Sequence, residues 1–153
     1  MVFNIDGQWT TFEFREFIGW RKKLLIEQVV KYPKQIDVFR PVDSVAYSSD
    51  SVNSWDSRAQ SVALAAMQSW SGHKYSWRTI LKLAIHYLPF LRLMPQETND
   101  EKETDIHVCS TAVCVALRKA LADPVPCLAD EMVTPTDLAR SALLRYQFSI
   151  EEK

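Results

Sequence analysis

Two stretches of this sequence place apolar side chains at intervals of three and four, the pattern of a helix with one face to bury. From Ser57 to Trp70 the stripe is Ala59, Val62, Ala63, Ala66, Met67 and Trp70; from Cys109 to Leu121 it is Cys109, Ala112, Val113, Ala116, Leu117 and Ala120. The chain opens with a different period. Val2-Phe3-Asn4-Ile5 and Gln8 to Phe14 flank Asp6-Gly7, a pair that accepts the positive φ of a type I′ hairpin turn. The second run alternates, with Phe12 and Phe14 on one face and Trp9, Thr11 and Glu13 on the other. Two strands followed by a helical run predict an α+β domain.

The remaining segments give weaker signals. Gly19 to Lys23 is polar and turn-like, and Leu24 to Tyr32 predicts a short helix stopped by Pro33. Ile36 to Arg40 reads as a strand closed by Pro41, and the serine- and aspartate-rich stretch from Ser44 to Asp56 as a loop leading to a helix start. Thr134-Pro135-Thr136-Asp137 carries an N-cap, a proline at the first helical position and a capping-box partner, with Leu138, Ala142 and Tyr146 as the buried side. Gln96 to Asp105 reads as an acidic loop. No segment repeats, and 153 residues at 47% apolar content make a single domain over residues 1–153.

Several function classes are disfavoured. Eighteen basic against 19 acidic residues leave a net charge of −1, which argues against nucleic-acid binding by bulk electrostatics. The most apolar segment, Ile80 to Met94, carries Lys82, His86, Pro89 and Arg92, so it predicts a core or docking helix and not a membrane span. The first residues lack a basic region followed by an apolar one, which favours a cytoplasmic or virion-associated protein over a secreted one. Three cysteines, Cys109, Cys114 and Cys127, form no disulfide framework and fit a reducing compartment.

Cys109 is the candidate for chemistry. It stands where the second helix begins, and backbone N–H groups and the helix dipole favour thiolate there. Cys114 lies roughly 140° further round the helix and does not share that position. Cys109 also heads the apolar stripe, so a buried core cysteine is the competing reading. A nucleophilic cysteine needs a base, normally histidine. His73 falls in a polar loop and His86 inside an apolar helix; His107, two residues before Cys109, shares its face if that stretch is extended. No four-ligand zinc spacing, glycine-rich phosphate loop or Gly-x-Ser-x-Gly motif occurs, so neither metal nor cofactor is expected.

In chain order, several pieces resemble the circularly permuted NlpC/P60 group of papain-like cysteine hydrolases. They are the hairpin ending in Glu13, Val38-Phe39-Arg40-Pro41, the Ala59–Trp70 helix, Gly72-His73-Lys74-Tyr75-Ser76, Cys109-Ser110-Thr111-Ala112-Val113 and Thr134-Pro135-Thr136-Asp137-Leu138. The resemblance implies a small antiparallel sheet packed on helices. It implies Cys109 as nucleophile, Glu13 as the group orienting an imidazole, Tyr75 facing the cleft, and the Cys109-Ser110 helix start as the oxyanion site. The family histidine belongs to a strand before the segment that Met1 to Ile5 resembles, so relative to the family the domain is N-terminally incomplete. Either a longer reading frame supplies the base, or the scaffold persists without one.

Two functions follow. One is hydrolysis of a peptide, amide or acyl ester, with cell-wall peptides among the substrates the family implies. The other is an inactive papain-like domain serving as an interaction component of a larger assembly such as a phage virion. For that second role the partner surfaces are the open sheet edge at Val2–Ile5 and Trp20, Trp55 and Trp77, three tryptophans in polar surroundings.

Overall fold

The computed structural model describes residues 1–31, 35–42, 45–48, 51–53, 55–75, 77, 81, 108–120, 123–126 and 128–150, the side chains of 45–48, 51–53 and 131 excepted. The helix expected at Ile80–Met94 (save Leu81), the acidic loop 96–105, His86, His107 and Cys127 lie outside the described residues. Strands β1 (Val2–Ile5), β2 (Gln8–Arg15) and β3 (Gly19–Leu24) form an antiparallel sheet in that order. Then come helix α1 (Leu25–Lys31), strand β4 (Ile36–Pro41), strands β5 (Val45–Ser48) and β6 (Ser51–Asn53), and helix α2 (Ser57–Ser69). Helix α3 (Cys109–Ala120), a short 3-10 turn (Asp130–Met132), helix α4 (Pro135–Ala139) and strand β7 (Leu144–Ile150) complete the described chain. Strands β4 and β7 pair antiparallel, as do β5 and β6. The result is a small mixed α+β arrangement of helices packed on small antiparallel sheets. Among the described residues no helix is long and apolar enough to cross a membrane.

The opening hairpin forms as its alternation and turn dictate. Asp6 and Gly7 both take positive φ, 51° and 81°, which matches the twist of the flanking strands. Phe12 and Phe14 are buried on the inner face beside Phe3. The polar Gly19–Lys23 stretch, expected to be a turn, is instead strand β3. It pairs residue for residue with β2, Glu13 opposite Arg21 and Phe14 opposite Trp20. Long-range pairing overrides its weak local signal. Likewise, the serine-rich stretch expected to be a loop contains the β5–β6 hairpin.

Helices α2 and α3 cover the inner face. Asp56 caps α2, accepting from the Ala59 N–H at 2.9 Å. Ala63, Ala66, Met67 and Trp70 pack with Ala112, Val115 and Ala116 against Phe3, Phe12 and Phe14. The alanines let the two helices and the sheet approach closely, so Met67 and Phe12 are fully enclosed. Val62 falls outside this face at 38% exposure. Helix α3 is enclosed far beyond a single stripe, because Cys114 on its other side joins a second cluster with Val133 and Leu138.

The Thr134 capping box forms as the sequence implies. The Thr134 N–H donates to Asp137 Oδ2 at 2.9 Å, and the Asp137 N–H donates to Thr134 Oγ1 at 3.2 Å. The helix it starts is short, however. It ends at Ala139, Ala142 is exposed, and Tyr146 lies on β7, half exposed, with Leu143 taking the buried place. Pairing of β7 with β4, more than a hundred residues earlier in the chain, claims that segment.

Candidate active site

The cleft of interest opens where the β2–β3 hairpin meets the start of α3. It has a volume of about 580 Å³ and is lined by Glu13, Phe14, Phe17, Ile18, Tyr75 and Cys109, with Arg15, Glu16 and Lys31 at its polar side. That is the size of a pocket for a small ligand or a few residues of a chain. Among the described residues no histidine lines it.

Cys109 is the first residue of α3 and is exposed, so the reading of it as a core cysteine fails; Cys114 is the buried one. The thiol does not gain the acidity expected of a helix start. Its pKa is raised, because burial of the surroundings outweighs the backbone N–H groups of Ser110 and Cys109 and the Met1 ammonium, all of which favour thiolate. The Glu13 carboxylate adds to the rise. At rest Cys109 is therefore a thiol. Ser110 itself is buried, and its backbone N–H donates to the Cys109 sulfur.

Tyr75 reaches the cleft from the segment after α2. The Trp20 N–H donates to the His73 carbonyl at 2.9 Å, tying this segment to the start of β3. Burial, then the charges of Cys109 and Glu16, push the Tyr75 phenol up, so its proton stays available for donation. The side chain of His73 is exposed and does not line the cleft.

Glu13 is already engaged through one carboxylate oxygen. Arg21, its cross-strand partner, donates through Nε to Glu13 Oε1 and through a terminal nitrogen to Gln28 Oε1 at 3.2 Å. Gln28 is buried, so α1 fixes the guanidinium and the guanidinium fixes the carboxylate. Sequence reading missed Arg21 because its role depends on the β2–β3 register. The Met1 end of β1 lies in the same neighbourhood. Its amino group donates to the Phe12 carbonyl at 2.7 Å, and burial lowers its pKa to about 6 against the pull of Glu13 and Cys109.

Of the tryptophans expected to meet partners, only Trp77 is well exposed, at 49%. Trp20 packs against the main core and donates Nε1–H to the Met67 carbonyl at 2.6 Å, and Trp55 also packs there. Both complete the interior. Strand β1 is the outer strand of its sheet among the described residues, paired with β2 alone.

A second polar cluster lies on the far side of α3. Cys114, Asp123 and Asp130 hold their ligand atoms within 4.8 Å of one another. Its members already hold partners: Cys114 Sγ–H donates to Asp130 Oδ1 at 3.2 Å, Arg118 forms an ion pair with Asp130 Oδ2 at 2.5 Å, and Asp123 Oδ1 accepts from the Val125 N–H at 2.8 Å. Burial first, then the Asp130 carboxylate, drives the Cys114 thiol far up, with Arg118 opposing. The unfolded thiol titrates near pH 8.5 while the folded one stays protonated, so stability is full below that pH and falls above it, by about 1.4 kcal/mol per unit. We expect Cys114→Ser, which keeps the donor to Asp130, to flatten the decline above about pH 8.5 in urea unfolding series. An unchanged slope would place the titrating thiol elsewhere.

No family model, no curated protein and no solved structure matches this chain.

Proposed function

We infer that the cleft is an acyl-transfer site with Cys109 as nucleophile, in a domain of the permuted NlpC/P60 type. The observation that carries this reading is the shared cleft. Residues 13, 75 and 109, far apart in sequence and singled out by the resemblance, line one opening of ligand size. In the mechanism a base takes the Cys109 proton and Sγ attacks an ester or amide carbonyl carbon, whose π pair moves to oxygen. The Ser110 N–H and the Tyr75 hydroxyl are the donors for that oxyanion. The tetrahedral species collapses, the C–O or C–N bond breaks, and the leaving group departs with the proton. Water then attacks the thioester, releasing the acid and restoring the thiol. His107 is the base this sequence offers, and Arg21 holds Glu13 where it can orient an imidazole.

The raised Cys109 thiol and the lack of a histidine among the described cleft residues favour a second reading, a papain-like domain that binds without turnover. Steady-state hydrolysis of aryl esters and anilides separates the two. The enzyme reading expects turnover that falls to the buffer rate in Cys109→Ala and loses its low-pH arm in His107→Ala. Wild type indistinguishable from Cys109→Ala on every substrate supports the binding domain.

A further inference from the structure

The turn joining β2 to β3 carries a conformation its sequence does not favour. Phe17 sits at φ 65° with no glycine or asparagine to ease it, and its side chain is 86% exposed. A bulky residue in the left-handed region is strained, and such strain persists where the surroundings hold it, often at ligand clamps. What it presents is an aromatic run. The Phe17 ring lies 5.3 Å from Trp77 at 48°, and Trp77 lies 5.9 Å from Tyr75 at 63°. Phe17, Tyr75 and Ile18 line the cleft with Cys109, and Ile18 is 60% exposed.

Neither the core nor the sheet accounts for Phe17. Its ring adds nothing to the enclosed clusters, and in water it leaves apolar area that a ligand would cover. Offset and edge-on rings with a free face are a platform for another flat ring. The lining also carries the charged residues Glu13, Arg15, Glu16 and Lys31, so an apolar group entering the cleft is matched by its aromatic and aliphatic residues alone.

The geometry points to Phe17, Trp77 and Tyr75 as an aromatic subsite that takes a ring attached close to the carbonyl that Cys109 attacks, so that the acyl group carries an aryl or benzyl substituent. This rests on Cys109 being the reacting group. Phe17 acts as a specificity-determining residue and Cys109 as the catalytic one.

The test uses alkylation, which needs no turnover. The full chain is treated near pH 9 with 2-chloroacetamide or N-benzyl-2-chloroacetamide, and modification of Cys109 is followed by peptide mass spectrometry. In each case the Sγ–C bond forms, the C–Cl bond breaks, chloride leaves and the thiol proton passes to buffer. The subsite predicts a saturating rate with the benzyl probe and a linear one with the parent. It also predicts a benzyl preference of about tenfold, the size of one aromatic contact. Phe17→Gly suits the positive φ, so it should melt no lower than wild type while losing that preference. Trp77→Ala should lose it as well. Equal rates for the two probes, or a preference that survives both substitutions, overturns the subsite. A benzyl preference in a protein that hydrolyses no ester leaves the subsite standing and rejects the hydrolase.

Discussion

Replacing Gly19 by alanine will cost about 2–3 kcal/mol and lower the melting temperature by about 4–12 °C. Gly19 opens β3 at φ 84°, a conformation an L side chain rarely adopts, and the added Cβ would lie 2.4 Å from the His73 carbonyl oxygen and 2.9 Å from the Lys74 Cα. Both neighbours are backbone, so relief requires the 73–75 segment to move. That segment accepts the Trp20 N–H and carries Tyr75 into the cleft. The damage should therefore reach the site, weakening the benzyl preference at Cys109 along with stability. Gly72→Ala is the matched control: its φ is 86°, but nothing lies within 4 Å of the new methyl group. It should cost only the backbone term, about 1 kcal/mol. Thermal unfolding of the pair checks this, and equal losses would show that close contact at His73 contributes nothing.

Arg118→Leu should destabilise the chain by about 3 kcal/mol at neutral pH. Asp130 is 2% exposed, and the substitution leaves its carboxylate with the Cys114 thiol and without the guanidinium 2.5 Å away. A buried acid stripped of its cation protonates more readily. In the variant the folded state then binds a proton at a pH where the unfolded chain does not, so the deficit shrinks as pH falls toward about 4. Adding Asp130→Asn removes the stranded charge and should recover most of the loss, since a matched pair can be replaced at little net cost. Urea unfolding at two pH values measures both effects. A deficit that grows on acidification would mean that Arg118 serves some other partner.

How far the sequence speaks for itself differs by segment. The hairpin over residues 2–14 was legible because its period of two and its Asp-Gly turn are local, and the Thr134 capping box because every atom in it lies within four residues. Strand β3 was not legible: Trp20-Arg21-Lys22-Lys23 becomes a strand through Glu13, Phe14 and their neighbours across the ladder. Strand β7 was hidden by the helical spacing of Leu138, Ala142 and Tyr146, which pairing with β4 overrides. At the site, Cys109 could be found from its place at a helix start. Its exposure and raised pKa could not, because they come from the packing of β2, Met1 and α3 around it. Phe17 left no trace at all, since Glu-Phe-Ile gives no hint of positive φ.

The most direct measurement of the central claim is to mix the full chain with an aryl ester of phenylacetic acid, quench within the first turnovers, and map the acyl group by mass spectrometry. The expected result is a phenylacetyl thioester on Cys109 that appears with the released phenol and decays as the acid forms, with Cys114 unmodified in its buried place. A protein that carries no acyl group on Cys109 while the ester is consumed, or that is acylated on another residue, would contradict it.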